Sequence, residues 1–172
     1  MIPKLSEENK EPVNINWGNV SRSITLFIPG IPQPKQSVRS RIVNAGDKSY
    51  VSHYQSKEVK EAEKNIRSIV ITQLPSGFLP FSKGVVITKL HYSFPPLKSF
   101  SKKSLARIES GEGIVKTTKP DLTDNLNKGV FDALQGLVFI NDSQICGLNN
   151  CKKFYSNSPG ISLVMEELDG TI

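Results

Sequence analysis

The sequence predicts an α+β fold: a single domain with a mixed, mostly antiparallel sheet and two main helices. Three observations lead there. Short runs rich in β-branched and aromatic residues stand at 23–29, 84–94, 151–155 and 161–168, with Pro and Gly between them. Two longer stretches, 57–73 and 122–135, space their apolar residues three and four apart, as one face of a helix does. Strand and helix signals follow one another without internal repeats over 172 residues, a length that suits one domain with a real core.

Residues 1–20 are polar and aperiodic and predict a loose tail that settles near Trp17; the folded domain is then 21–172. Ser23 to Pro29 reads as the first strand. Pro32 and Pro34 exclude helix and set an extended segment. Lys35, Arg39, Arg41 and Lys48 follow around Gly46 and Asp47, which predicts a basic hairpin or mobile loop, with a short strand at Ser49–Val51. Ser56 has the chemistry of an N-cap, and Lys57 to Gln73 is helical, with Val59, Ala62, Ile66, Ile69, Val70 and Gln73 on its buried side. Its interleaved lysines and glutamates read first as a solvated face. Gly84 to Phe94 is a strand; His91 on it is a surface or core histidine rather than a ligand. Ser101 to Glu109 forms a short helix, and Lys116 and Lys119 lead into an acidic stretch. Cys151 to Tyr155 and Ile161 to Leu168 are the closing strands.

A net charge of +6 and a pI near 9.3 favour a polyanionic partner such as nucleic acid. No apolar run is long enough to cross a membrane, and the first residues have no signal-peptide core, so a cytoplasmic protein is expected. Two cysteines with distant histidines make no zinc pattern and read as reduced thiols.

Against that basic background, four of the six aspartates fall within Lys119–Asp142: Asp121, Asp124, Asp132 and Asp142. Asp121 is an N-cap candidate with Asp124 in capping-box position, and Gly136 is a suitable C′ residue, so a helix is expected over about 122–135. That helix would be about 20 Å long at ~1.5 Å per residue. Leu137–Ile140 reads as a strand, and an extended return to Asp142 covers about 20 Å as well. If it folds back along the helix, Asp142 meets Asp121 and Asp124 at the helix's first turn, with Lys128 one turn above Asp124. Two or three carboxylates suffice for magnesium, which keeps several of its waters, and a lysine beside them offsets phosphate charge. The plain alternative is a capping aspartate, a solvated Asp124–Lys128 pair and an aspartate in a turn; the local excess of carboxylates favours the metal site.

Pro120-Asp121-Leu122-Thr123-Asp124-Asn125-Leu126, then Lys128, then Asp132-Ala133-Leu134, Gly136 and Asn141-Asp142-Ser143-Gln144 resemble the RusA family of Holliday junction resolvases. Ile28-Pro29-Gly30-Ile31-Pro32-Gln33-Pro34-Lys35 with Arg39 and Arg41 is similar to the family's N-terminal segment, so the resemblance spans about 24–166. Two departures stand out. Both Leu122 and Thr123 separate the first two aspartates where the family has one residue, and Asn141 stands where the family has an aspartate. The resemblance implies a magnesium-dependent endodeoxyribonuclease, with manganese as a substitute. It would act as a homodimer, resolving four-way junctions by paired symmetric nicks in recombination and repair. It also implies a bacterial or phage origin. Asp121, Asp124 and Asp142 would hold the metal, Lys128 would position the phosphate or water, and Lys35, Arg39, Arg41, Lys116, Lys119, Lys152 and Lys153 would grip DNA. For Lys116 and Lys119, simple charge balance against the aspartates stands as an equal alternative, as does a solvated basic loop for Lys35, Arg39 and Arg41. Two other readings stay open: a catalytically inactive junction-binding protein, and a nuclease of broader branched-DNA specificity.

Overall fold

The computed structural model describes residues 18–35, 39–46, 48–54 and 56–170; the expected tail and Trp17 fall outside them. The architecture is α+β, a single domain with a mixed sheet and three α-helices. The elements are β1 Val20–Pro29, β2 Arg39–Ala45, β3 Lys48–Tyr54, α1 Lys57–Gln73, β4 Val85–Phe94, α2 Lys102–Glu109 and β5 Ile114–Val115. Then come a π-helical turn Leu122–Asn127, α3 Lys128–Leu134, β6 Ile145–Leu148, β7 Cys151–Tyr155 and β8 Gly160–Leu168.

The main sheet has the order β1-β8-β4-β7-β5, with β6 preceding β7 along the same side of β4. β8 runs antiparallel to both β1 and β4, whereas β6 and β7 run parallel to β4. A parallel pair needs a long crossover, and here residues 95–144 supply it, carrying α2, β5, the π turn and α3. The crossover is what brings the acidic stretch over the sheet.

Alternation sets the core. In β1, Ile24, Leu26 and Ile28 face inward; Leu163 and Met165 of β8 and Leu90 and Tyr92 of β4 join them. The helices add Val70 from α1, Leu126 from the π turn, and Val130 and Leu134 from α3. Of the side expected to be buried on α1, Val59 and Val70 are fully buried and Ala62, Ile66 and Ile69 half-buried. Gln73 is exposed, and its amide pairs with the backbone N–H and C=O of Phe27 at 2.9 and 2.7 Å, occupying part of the outer edge of β1 as a strand would. At the other end of β1, Arg22 is bonded to the buried Glu167 at 2.7 Å. The basic hairpin expected after Pro34 is present as β2 and β3, a two-stranded sheet of its own.

One element differs from its sequence reading. Leu137–Ile140 is not a strand but a compact turn. Gly136 at φ +71° reverses the chain, and the N–H groups of Leu137 and Val138 both return to the carbonyl of Leu134. Val138 and Phe139 are fully buried, and the turn is held by two backbone bonds to Phe81. Four consecutive apolar residues were a plug for the end of the core rather than a path back along the helix.

Candidate metal and DNA site

The crossover reaches the candidate site through a braced loop. Lys153 on β7 donates from its Nζ to the carbonyls of Thr118 at 2.8 Å and Pro120 at 2.6 Å. Lys116, 8% exposed, donates to the Thr118 hydroxyl and the Tyr155 phenol and lies over the rings of Phe94 and Tyr155. These two expected DNA lysines are therefore committed to internal partners. Lys119 and Lys152 remain exposed.

The helix begins with a π turn, not an α turn. Leu126 N–H bonds the carbonyl of Asp121 at 3.1 Å, five residues back. An i→i+5 turn holds one more residue than an α turn, so it absorbs the additional residue between Asp121 and Asp124 while leaving Asp124, Asn125 and Lys128 in register. Asp121 is at the N-cap position, but its carboxylate does not cap; it accepts from the Asn125 amide at 3.2 Å. Asp121, Asp124 and Lys128 are exposed, and among the described residues no ion pair involves either aspartate. Beneath them Asn127 is buried, accepting from Tyr92 O–H at 3.0 Å and from the Cys151 thiol at 3.6 Å. Burial pushes the Cys151 thiol up despite that hydrogen bond, so it is no reactive thiolate.

The two regions of the sequence that resembled one family meet here. Lys35 N–H bonds the carbonyl of Asn125 at 2.9 Å, and a Cβ at Gly129 would come within 3.3 Å of the Lys35 side chain. The extended proline segment thus crosses the π turn and α3 at a close approach, where a side chain at position 129 would press on Lys35. Lys35 itself, with a side chain 10% exposed, is ion-paired to Glu63 and Asp132. Burial works against its charge, but the hydrogen bonds and attraction of Asp132 and Glu63 outweigh it and hold its pKa above the ordinary value. It ties α1 to α3 through these two carboxylates. Arg39 and Arg41 belong to β2, and their side chains lie outside those described.

Asp142 is not where the sequence geometry put it. It opens a single 3-10 turn, Asp142–Gln144, capped by Asn141: Asn141 Oδ1 accepts from Ser143 N–H at 2.9 Å and Gln144 Oε1 from Asn141 N–H at 2.7 Å. Gln144 also donates to the carbonyls of Phe81 and Lys83. Asn141 thus works as a cap, a role asparagine fills as well as aspartate. The sequence reading missed this pair, although the Asn141-x-x-Gln144 spacing is itself a capping-box signal. The turn leads straight into Ile145, the register partner of Val85, whereas the π turn sits by Cys151, the partner of Leu90. The intervening length of β4, at ~3.3 Å per residue, separates them by on the order of 15 Å. One ion cannot touch both ends. Consistently, among the described residues no three His, Cys, Asp or Glu side chains gather as a metal site. The expected convergence within one chain fails because the return path is a plug and a capped turn instead of an extended strand.

His91, expected as a surface or core histidine, is half-buried on β4. Its ring stands edge-on to Phe154 at 5.7 Å, and its buried Nε2 has no hydrogen-bond partner among the described residues.

Comparison with known proteins adds the context for this site. Residues 29–166 match the family model described as Endodeoxyribonuclease RusA. A Bacillus subtilis (strain 168) protein named "Uncharacterized protein YqaN" is 32% identical over 136 residues, covering 79% of this chain and 87% of that protein. No helix among the described residues is long and apolar enough to cross a membrane. The chain belongs to the RusA endodeoxyribonuclease family.

Proposed function

We propose that this protein is a magnesium-dependent, structure-selective endonuclease that resolves four-way DNA junctions as a homodimer. One observation carries the reading: the carboxylates of Asp121 and Asp124 are exposed on a π turn and have no ion pair among the described residues, in a chain of net charge +6. Uncompensated carboxylates in a basic protein fit a hard divalent cation that retains waters and takes its remaining ligands from phosphate. A cation bound there supplies a polarised phosphate oxygen and a water of lowered pKa. The chain's own residues do the rest. Asn125 orients the Asp121 carboxylate, Lys128 beside Asp124 faces the phosphate, and exposed Lys119 and Lys152 grip the backbone.

Asp142 enters from a second subunit in this reading. A two-fold dimer presents the same patch twice, so the 3-10 turn of one copy can stand beside the π turn of the other. Ile140 and Leu79, exposed apolar residues on either side of the Phe81 bridge, suit such a contact. Two sites of opposite orientation match the two strands of like polarity in a four-way junction and account for paired nicks.

Asp124→Asn should abolish magnesium-dependent junction cleavage while gel-shift binding of the same junction is kept. Wild-type cleavage rates in that variant would refute the assignment. The separation of Asp142 from Asp121 and Asp124 favours a second reading, a family member that binds branched DNA without cutting it. Cleavage of a labelled junction by the wild-type protein in magnesium rules that reading out, and binding without any cleavage establishes it.

A further inference from the structure

A cavity of about 670 Å³ opens immediately beside the π turn. It exists because β5 is only two residues long: Ile114 and Val115 cover Tyr155 and Phe154 of β7, and the edge of β7 at Cys151 and Lys152 is left open. The walls are Phe154, His91, Val115, Cys151 and Leu122, with Lys152 at the rim. Gly113 closes one side. A Cβ there would fall 2.9 Å from the Phe154 ring, so a bare glycine is what lets the loop lie against that ring. Leu122 belongs both to this cavity and to the turn that carries Asp121 and Asp124.

We propose that this cavity receives an unstacked nucleobase of the nucleotide beside the scissile phosphate. The inference rests on the nuclease reading above and adds a means of choosing the branch point. The volume lies within the range of small-ligand pockets. The walls are apolar and aromatic, as sequence-tolerant base platforms are. The exposed cation Lys152 lines the cavity, where the nucleotide's phosphates would be. With its base in the cavity, the nucleotide's phosphate lies toward Asp121 and Asp124. Extruding a base costs least where pairing and stacking are already broken. A branch point offers such a base and continuous duplex does not, so the cavity would couple base capture to cleavage at junctions.

The test uses the full-length protein and a four-way junction carrying 2-aminopurine, either at a branch nucleotide or in mid-arm, without divalent cation. Binding should raise the emission several-fold for the branch position and leave the mid-arm position unchanged. Val115, 71% exposed, can be enlarged without touching the core. Val115→Trp should abolish the rise and weaken junction binding, and cleavage at sub-saturating protein with it, about tenfold, the scale of one lost base-stacking contact, with melting temperature kept. Val115→Met, which narrows the cavity without adding a ring that could quench, should reduce both effects in part. Wild-type protein that cleaves the junction but leaves every branch-position probe dark overturns the inference and spares the nuclease reading. So does a Val115→Trp variant that keeps the full rise. If Val115→Trp instead converts a dimer to monomer by light scattering, the cavity belongs between copies and the inference also falls. Wild-type protein that neither binds nor cuts junctions overturns both.

Discussion

Replacing Lys35 by Met separates two roles that a lysine in this segment can have. Its ammonium is shared by Glu63 and Asp132, whose side chains are 24% and 30% exposed, while its own is 10% exposed. Loss of one partner of a fully buried pair costs ~3–5 kcal/mol. Here water reaches both stranded carboxylates, which reduces the figure to about 2–3 kcal/mol. For a chain of this size that lowers Tm by roughly 4–12 °C, at ~2–4 °C per kcal/mol. Urea unfolding followed by circular dichroism would report it as a lower midpoint at unchanged slope. Adding Glu63→Gln and Asp132→Asn to Lys35→Met should recover part of the loss, because the repulsion between the two carboxylates goes with them. The salt dependence of junction binding should keep its slope, since Lys35 releases no counterion from DNA. A variant of wild-type stability whose salt slope falls by about one would refute the structural role and restore Lys35 as a phosphate contact.

Glu167 offers a pH test. Its carboxyl is held down to about 2, first by the Arg22 hydrogen bond and then, against the cost of burial, by the backbone N–H groups of Ser82 and Lys83. A carboxylate whose folded pKa lies below its unfolded value stabilises above the unfolded value and loses that contribution as pH falls. Acid unfolding should therefore steepen between about pH 4.5 and pH 2, and Glu167→Gln should flatten it and lower stability at pH 7 by about 2–3 kcal/mol. His91→Phe should stabilise the protein by about 1 kcal/mol in thermal melts, because it removes a buried nitrogen without a partner; a loss of stability would show that Nε2 is satisfied by water. On β7, Lys153→Met should lower the rate of cleavage more than DNA affinity, since Lys153 spends its ammonium on the carbonyls of Thr118 and Pro120 and so braces the loop before Asp121; equal losses in both would make it a DNA contact.

Much of the fold was legible because periodicity reports burial. The spacing of Val59, Ile66 and Val70 placed α1 at its observed bounds, and the alternation of Ile24, Leu26 and Ile28 marked the inner face of β1. The Asp121–Lys128 stretch was legible as a helix start, but its π geometry was not. An additional residue between two aspartates looks like a rotation of Asp121 until the i→i+5 bond shows how the turn absorbs it. Leu137–Ile140 was misread because a short apolar run carries no period of its own, and a buried turn and a buried strand need the same side chains. The error in Asp142 followed from that one. The pairing of Lys35 was not legible for a different reason: its partners lie 28 and 97 residues away, and no local pattern tells a paired cation from a free one.

The proposed site is assembled from two copies, Asp121 and Asp124 of one with Asp142 of the other. Mixing Asp124→Asn with Asp142→Asn subunits, each inactive alone, tests it on a labelled four-way junction in magnesium. Heterodimers then contain one intact site and one doubly damaged site, so random mixing should restore single-strand nicking to about a quarter of the wild-type number of sites. No recovery on mixing, or full activity of the Asp142→Asn homodimer, would contradict the shared site.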